Sequence, residues 1–388
     1  MDFDLIVVGG GPVGLALACA ARAQPCNLRV ALVAQEAGPP ALGEAPDARV
    51  YAISPGNVDF LGRLRAWQAI EPLVVTPIRA MRVQGDRGSR IEFDAYRAGA
   101  SELAWTVEDA RLQQALWRTL RGGDGIAVFA PAQCQSIEAG DEAATIRLQD
   151  GRAVKASLVV GADGANSFVR AQAGIDAASR DYGQAAVVAN FTCAKAHDEV
   201  AFQWFQGGPV LAALPLPGRA ISMIWSLPAN EAARIAALDA SSLCATVSRA
   251  MHGELGDLSL LSPARSYPLR RLSARRLVGR RIALVGDAAH VIHPLAGQGL
   301  NLGLQDARVL AGVLSGCSAV RRPGDPLILR AYERARAEPI LAMDFMVDGL
   351  YRLFGAQTEG LSRLRNAGLN LTDRLPVVKN VLVRRAMT

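Results

Sequence analysis

The sequence predicts an α/β fold with a Rossmann-like dinucleotide-binding domain, an inserted β-sheet domain and a C-terminal helical segment. Three observations support this class. The first 35 residues contain two apolar runs, separated by a glycine-rich turn and a helix-forming stretch, which is the pattern of a βαβ unit. Residues 185–227 contain several strand-like runs between strong turn signals. Beyond Gly299 the pattern is helical, with breaks at prolines.

The dinucleotide-binding part begins with residues 4–8, whose unbroken apolar run is typical of a buried parallel strand. Residues 13–22 have Ala and Leu at helical density, and residues 28–33 contain the next apolar strand. Residues 282–285 have the same apolar character. We therefore expect that late segment to return to the first sheet.

The rest of the chain alternates between strand-rich and helical segments. We expect strands within 79–93 and 126–158 and at 186–192, 200–205, 210–214 and 221–227, and helices at 108–121, 231–238 and 243–255. The predicted organisation has six parts: 1–75, 106–183 and 271–325 for the dinucleotide-binding domain, 76–105 and 184–270 for the inserted domain, and 326–388 for the C-terminal helical region.

The composition indicates a globular protein large enough for two domains. Of 388 residues, 51% are hydrophobic and 20% charged, with a formal net charge of +6, and this excludes a disordered chain. No run of Lys and Arg resembles a nucleic-acid-binding arm, so we expect no nucleic-acid partner. The six cysteines are scattered without a CxxC pair, which favours reduced thiols in a cytoplasmic protein and excludes a zinc ribbon.

The first motif that carries chemistry is GxGxxG at 9–14, directly after a predicted strand. Glycines there allow a sharp turn and let backbone N–H groups approach a pyrophosphate at the helix N-terminus. An acidic residue at the end of the second strand usually binds the ribose, but Ala34 stands there. Gln35 or Glu36 is then the expected ribose contact, with the identity left open.

The second motif is VVGADGANS at 159–167, in which an apolar strand runs into an Asp-Gly turn. An ordinary strand-to-helix turn, with Asn166 or Ser167 as the N-cap, explains this segment as well as a binding role does.

The third motif is the most specific. An apolar strand ends in Gly286-Asp287, and about ten residues later Gly297-Gln298-Gly299 opens a long helix. The Asp287 carboxylate is suited to accept hydrogen bonds from sugar or ribityl hydroxyls. The free N–H groups at the helix start would stabilise negative charge on a bound ring system.

His290 and His293 lie three residues apart, a spacing that also occurs among metal ligands. No Cys or third His completes a zinc site and no HExxH motif is present, so we expect no metal. We predict that His290 packs at the strand–loop junction and satisfies backbone groups.

The three motifs resemble the FAD fingerprints of the single-component flavoprotein aromatic hydroxylases, the group typified by para-hydroxybenzoate hydroxylase. More narrowly, GDAAHVIHPLAGQGLNLGLQD at 286–306, GADGANS at 161–167 and RVYAIS at 49–54 closely resemble the ubiquinone-biosynthesis hydroxylase family. The similarity covers essentially the whole chain. It implies a Rossmann-like FAD-binding domain with an inserted β-sheet substrate domain and a C-terminal helical segment.

The resemblance also implies residue roles. The motif glycines would cradle the FAD pyrophosphate, Arg49 would lie near the phosphates or flavin, and Asp163 near both FAD and the nicotinamide. Pro294 would stand beside the flavin, and no catalytic acid or base is assigned. The expected cofactor-binding residues are Gly9, Gly11, Gly14, Gln35, Arg49, Asp163, Gly286, Asp287, Pro294, Gly297, Gln298, Gly299, Leu300 and Asn301.

The activity implied by the resemblance is that of an NAD(P)H- and O2-dependent aromatic monooxygenase. It would hydroxylate a polyprenyl phenol intermediate of ubiquinone biosynthesis through a C4a-hydroperoxyflavin, with NADPH or NADH as a transient reductant. Two alternatives stay open, an FAD-binding prenyl reductase and a catalytically inactive flavin scaffold in the same pathway. A flavin halogenase would carry a WxWxIP segment, and residues 223–228 have Met223 in place of its first tryptophan.

The expected partners are a hydrophobic phenolic substrate and O2. Several basic residues between Arg363 and Arg385 indicate either a solvated helical face, which we favour slightly, or contact with a membrane surface or partner protein. We therefore expect a cytoplasmic protein. If the basic segment is a contact surface, the protein would bind peripherally at the inner face of the membrane or to a ubiquinone-biosynthesis protein complex.

Overall fold

The computed structural model describes residues 1–355 except 24, 44, 86–87, 124, 294–296 and 319–320, and for 350–355 it describes only the helical backbone. Pro294 and the basic segment from Arg363 to Arg385 lie outside the described residues. The strands are β1 (Phe3–Val8), β2 (Val30–Val33), β3 (Val50–Ile53), β4 (Thr76–Ile78), β5 (Ala80–Gln84), β6 (Arg90–Asp94), β7 (Ala104–Glu108), β8 (Ile126–Phe129), β9 (Cys134–Ala139), β10 (Ala144–Leu148), β11 (Ala153–Gly161), β12 (Ala177–Cys193), β13 (Val200–Phe205), β14 (Val210–Pro215), β15 (Ala220–Pro228), β16 (Leu258–Leu260), β17 (Arg265–Ala274), β18 (Val278–Gly279), β19 (Ile282–Leu284) and β20 (His290–Val291). The helices are α1 (Pro12–Arg22), α2 (Pro55–Arg63), α3 (Asp109–Gly122), α4 (Phe168–Gln172), α5 (Ala229–Ala236), α6 (Ala240–Ala250), α7 (Gly299–Leu314) and α8 (Pro326–Gly355).

The first sheet has the order β18-β19-β11-β1-β2-β8, and β10 and β9 extend it from β11. β1 pairs in parallel with β2 and β11, β2 with β8, and β11 with β19. Every residue of β2 is buried, and so are residues 5–8 of β1. Continuous burial is what parallel strands covered on both faces require. The predicted βαβ unit and the return of residues 282–285 to this sheet are confirmed.

The second sheet has the order β20-β17-β12-β15-β14-β13-β5-β6, with β16 paired to β12. One face packs against α5 and α6 through a buried apolar cluster that includes Phe191, Trp204 and Leu243. The four strands and two helices predicted between residues 186 and 255 are confirmed, but β12 begins nine residues before the predicted start at 186 and α6 ends five residues before the predicted end at 255. β12 crosses the proposed boundary at 183/184 and β17 crosses that at 270/271. Long strands therefore run between the two parts of the chain.

The carboxylate of Asp306 in α7 ties several segments together, and its side chain is fully buried. Oδ2 accepts a hydrogen bond from the Gly286 amide at 2.9 Å and lies 2.6 Å from His290 Nε2, while Oδ1 accepts from Arg336 Nε at 2.6 Å. Desolvation alone would raise the pKa of Asp306, but the His290 and Arg336 side chains outweigh it and lower that pKa. The loop after β19, strand β20 and α8 are thus held to α7 by one carboxylate.

We predict that Arg336→Met lowers the free energy of unfolding by about 3–5 kcal/mol at pH 7, because it removes a partner from a buried ion pair. Urea denaturation of the FAD-loaded protein measures this loss. Because pairing lowers the folded-state pKa of Asp306, this contribution is present above about pH 4 and fades as the pH falls further. The matched control Arg271→Met breaks a pair with Asp344 whose side chains are 32% and 14% exposed, and it should cost no more than about 1 kcal/mol. Equal losses for the two variants would contradict the assignment.

Candidate FAD site

A single cleft of about 2190 Å³ runs between the carboxyl edge of the first sheet and the open face of the second. Ordinary ligand pockets measure about 300–1,000 Å³, so this cleft has room for a dinucleotide and a further ligand. Gly11 and Gly299, from the first and third sequence motifs, both line it. Two glycine-rich helix openings that are far apart in sequence therefore face one space.

Each of the three glycines of the first motif is required for a different geometric reason. Gly9 has φ of +124°, and a β-carbon there would lie 2.2 Å from the carbonyl oxygen of Ala162. A β-carbon at Gly14 would lie 2.1 Å from the Gly9 oxygen. At Gly11 a β-carbon would meet no protein atom within 4 Å. Gly9 and Gly14 thus serve the packing of α1 on the strands, whereas Gly11 leaves open space in front of the α1 N-terminus.

The end of β2 confirms that no acidic side chain stands in the usual ribose-binding position. Ala34 is buried, and its β-carbon packs close to Gly10. Gln35 and Glu36 are exposed and line the cleft. The backbone N–H of Ala132 donates to the Ala34 oxygen. The next residue, Gln133, also lines this region of the cleft. Polar amides and one carboxylate therefore surround this end of the cleft.

The second motif contributes Asp163 to the lining of the cleft and leaves one of its carboxylate oxygens without a partner among the described residues. Asp163 Oδ2 accepts a hydrogen bond from the Val169 amide at 3.0 Å. Oδ1 is buried and has no hydrogen-bond partner among the described residues. Ser167 caps α4 by accepting from the Arg170 amide at 2.9 Å, so the predicted helix cap is confirmed. Because an orphan buried oxygen is costly, Asp163 Oδ1 fits a hydroxyl-bearing ligand.

The third motif brings Asp287 to the floor of the cleft. Gly286 has φ of +59° and packs against Val13 at the start of α1. Asp287 lines the cleft and is exposed to solvent. Protein atoms nevertheless surround its carboxyl closely, and the resulting desolvation raises its pKa. His290, Arg49 and Arg270 act in the opposite direction. An acceptor for ligand hydroxyls at this position agrees with the sequence expectation.

Arg49 interacts electrostatically with Asp287 and belongs to a group of polar residues at the cleft, some of which were not expected from the sequence. Its guanidinium stands 5.3 Å from the centre of the Tyr267 ring. Desolvation opposes the charge of Arg49, but Tyr51, Asp109 and Tyr267 raise its pKa overall, so a cation is held at the cleft. Burial also raises the pKa of Asp109, which lines the cleft at the start of α3. Asp109 is not among the cofactor-binding residues expected from the sequence.

Asn301 uses its side chain to fasten the RVYAIS segment to the start of α7. Its Oδ1 accepts from the Ser54 amide at 2.9 Å and from Asn57 Nδ2 at 2.9 Å, and its Nδ2 donates to the Ala52 oxygen at 2.8 Å. The residue is almost fully buried. Asn301 therefore positions the backbone that lines the cleft, and the backbone of α7 is left to face a ligand.

The structure corrects the expected partner of His290. Its ring is buried at the strand–loop junction as predicted, but the observed partner is the Asp306 carboxylate, which lies too far along the chain for local patterns to reveal. His293 is buried against the Tyr182 ring at 4.8 Å, and desolvation lowers its pKa to about 4. Within the described residues, no group of three or more His, Cys, Asp or Glu side chains could hold a metal ion.

The cleft gathers nearly all the residues expected from the sequence. Gly14 packs inside α1 and does not line the cleft, and Pro294 lies outside the described residues. The expected residues that line the cleft are Gly9, Gly11, Gln35, Arg49, Asp163, Gly286, Asp287, Gly297, Gln298, Gly299, Leu300 and Asn301. The open space at Gly11, the orphan oxygen of Asp163 and the α7 N-terminus fit the pyrophosphate, hydroxyls and ring of FAD.

Two solved structures that share this fold are described with FAD. PqsL of Pseudomonas aeruginosa, described as a probable FAD-dependent monooxygenase, superposes with a TM-score of 0.78 at 22% identity, over 95% of this chain and 99% of the other. HpxO of Klebsiella pneumoniae, solved with FAD and uric acid, has a TM-score of 0.75 at 20% identity, over 98% of this chain and 96% of the other. At such identities these likenesses establish the fold alone.

Sequence comparison gives the family. The family described as "FAD binding domain" matches residues 2–343. Ubiquinone hydroxylase UbiL of Rhodospirillum rubrum is 33% identical, over 99% of this chain and 89% of its own length. The 3-demethoxyubiquinol 3-hydroxylase of Escherichia coli is 31% identical, over 99% of this chain and 98% of its own. The chain therefore belongs to the FAD-binding family and, within it, to the ubiquinone-biosynthesis hydroxylases.

Proposed function

We propose that this protein is an FAD-dependent monooxygenase that hydroxylates the ring of a polyprenyl phenol in ubiquinone biosynthesis. The observation that carries the proposal is the single cleft, in which the FAD-type motifs face an apolar wall provided by the second sheet. Relatives of at least 30% identity bear the names of hydroxylases in this pathway.

We further propose how FAD lies in the cleft. Gly9 and Gly11 face the pyrophosphate, and Gln35 or Glu36 contacts the adenosine ribose. Asp287 binds ribityl hydroxyls, and the backbone of 297–301 meets the flavin ring. Arg49 and Asp163 complete the cofactor contacts. We also propose that the chain is organised in the six parts that its sequence predicts. These roles are supported by the lining of the cleft.

The chemistry that FAD would supply when bound in this cleft is acceptance of a hydride from NADH or NADPH and activation of O2 for transfer of one oxygen atom to the substrate ring. The protein must stabilise negative charge at the flavin and keep water away from it. The free N–H groups at the start of α7 serve the first need. Apolar side chains of β5, β6 and β14 serve the second, because they form the opposite wall of the cleft.

Among the described helices, none is both long enough and apolar enough to cross a bilayer. We propose a cytoplasmic protein with peripheral contact at the inner face of the membrane or with other ubiquinone-biosynthesis proteins, since a polyprenyl substrate partitions into lipid. Leu341 and Phe345 of α8 are 68% and 79% exposed. Such side chains next to the cleft support this contact.

Gly11→Val tests the placement of the pyrophosphate. Gly11 has an ordinary φ of −76°, so valine is sterically tolerated by the protein while its side chain enters the cleft. We expect FAD affinity to fall by about tenfold or more, equivalent to about 1.4 kcal/mol, with the melting temperature of the apoprotein nearly unchanged. Quenching of flavin fluorescence measures the affinity. Gly122→Val, at an exposed glycine away from the cleft, is the matched control.

The activity is tested with FAD-loaded protein, NADH or NADPH, a prenylated phenol and ¹⁸O-labelled O2. We expect phenol-stimulated oxidation of the nicotinamide and a product that carries one labelled oxygen atom, detected by mass spectrometry. A product that gains hydrogen without oxygen would instead indicate a prenyl reductase. Nicotinamide oxidation that no phenol stimulates would favour an inactive flavin scaffold.

A further inference from the structure

Arg49 is a cation at the cleft, and it lies in a segment without regular secondary structure directly before β3. The residue is exposed and lines the cleft, with its guanidinium against the Tyr267 ring. A long, exposed arginine side chain has many rotamers available. The place of its charge therefore depends on how firmly its backbone is fixed.

Asp47 fixes this backbone through both of its carboxylate oxygens. Oδ1 accepts a hydrogen bond from the Arg49 amide at 3.0 Å, and Oδ2 accepts from the Ala110 amide at 3.1 Å. Ala110 lies in the first turn of α3, where the backbone N–H groups have no partner within the helix. A carboxylate is favoured at such a helix start. One side chain thus joins the Arg49 backbone to the start of α3.

The backbone on either side of this carboxylate is held as well. The Asp47 N–H donates to Glu108 Oε2 at 2.6 Å, at the end of β7. The Asp47 carbonyl accepts from Nδ2 of Asn190 at 2.8 Å, and Asn190 is a fully buried residue of β12. The Arg49 carbonyl accepts from the Asp109 amide at 2.9 Å. Asp47 therefore lies where β7, α3 and the second sheet meet the segment that carries Arg49.

The negative charge of Asp47 is unfavourable for the cofactor that we propose for this cleft. Its field reaches the cleft: burial is the main cause that raises the pKa of the cleft-lining Asp109, and the Asp47 charge adds to it. The pyrophosphate of FAD is anionic. Coulomb repulsion alone would therefore make FAD bind more tightly when the Asp47 charge is removed. A role in placing Arg49 predicts the opposite sign.

We propose that Asp47 is a positioning residue that holds the Arg49 backbone against the start of α3, so that the guanidinium reaches an anionic group of bound FAD. The inference rests on the proposed function, because it assumes that Arg49 contacts FAD in the cleft. Asp47 itself does not line the cleft. Its contribution to FAD binding should therefore disappear when the guanidinium is absent.

A double-mutant cycle between Asp47 and Arg49 tests this dependence. The dissociation constant of FAD is measured by quenching of flavin fluorescence for the wild type, Asp47→Ala, Arg49→Met and the double variant. We expect Arg49→Met to bind FAD about tenfold more weakly, because it removes one charge-assisted hydrogen bond. Asp47→Ala should bind about fivefold more weakly, and the double variant should agree with Arg49→Met within about twofold.

Asp239→Ala is the matched control, because Asp239 caps α6 by accepting from the Ser242 amide at 2.9 Å and does not line the cleft. It should bind FAD within about twofold of the wild type. Asp47→Asn keeps the size of the side chain but offers one amide oxygen to two N–H groups. It should weaken FAD binding with the same lack of additivity, and it decides the matter if alanine impairs folding.

Tighter or unchanged FAD binding by both Asp47 variants would overturn the proposal. A double variant weakened about fiftyfold would also overturn it, because the two residues would then contribute independently; the Arg49 contact would stand. If Arg49→Met bound FAD like the wild type, both the Arg49 contact and the proposal would be refuted. A protein that shows the expected cycle but never oxygenates a phenol would refute the hydroxylase function and leave the Asp47 assignment standing.

Discussion

Three segments of the chain approach one another at distances that only glycine allows, and the cleft depends on this packing. Gly9 lies against the Ala162 carbonyl, which joins the ends of β1 and β11. A β-carbon at Gly303 would lie 2.7 Å from Val13 Cγ2 and 3.1 Å from the Gly286 Cα. The starts of α1 and α7 and the end of β19 are therefore drawn to one point. Any larger side chain there would separate the helix openings that face the ligand.

Buried polar side chains hold this arrangement and leave the ligand-facing groups available. Asp306 binds the Gly286 amide next to Asp287, and Asn301 binds the backbone of 52–54 through both of its side-chain atoms. Neither interaction consumes the carboxylate of Asp287 or the N–H groups at the start of α7. The division between residues that build the cleft and residues that line it is consistent with preorganised binding of a large cofactor.

Sequence patterns were sufficient for the parallel strands and the inserted sheet, because apolar runs and glycine turns report local burial and local backbone geometry. The convergence of the motifs on one cleft was expected only from the resemblance to the flavoprotein hydroxylases. They were insufficient where the outcome depends on a distant partner. His290 pairs with Asp306 across α7, Arg49 lies against Tyr267, and Gln203 faces the cleft because of its register in the sheet. The side chains of β13 alternate between the two faces of the sheet, and the sequence gives no sign of which face would line a ligand.

A crystal structure of the protein with FAD tests the central claim most directly. The account predicts electron density for one FAD that runs through the cleft, with its pyrophosphate at the Gly11 end of α1 and its flavin ring at the start of α7 near Gly299. Density for the flavin at any other surface, or an FAD whose pyrophosphate lies away from Gly11, would contradict it.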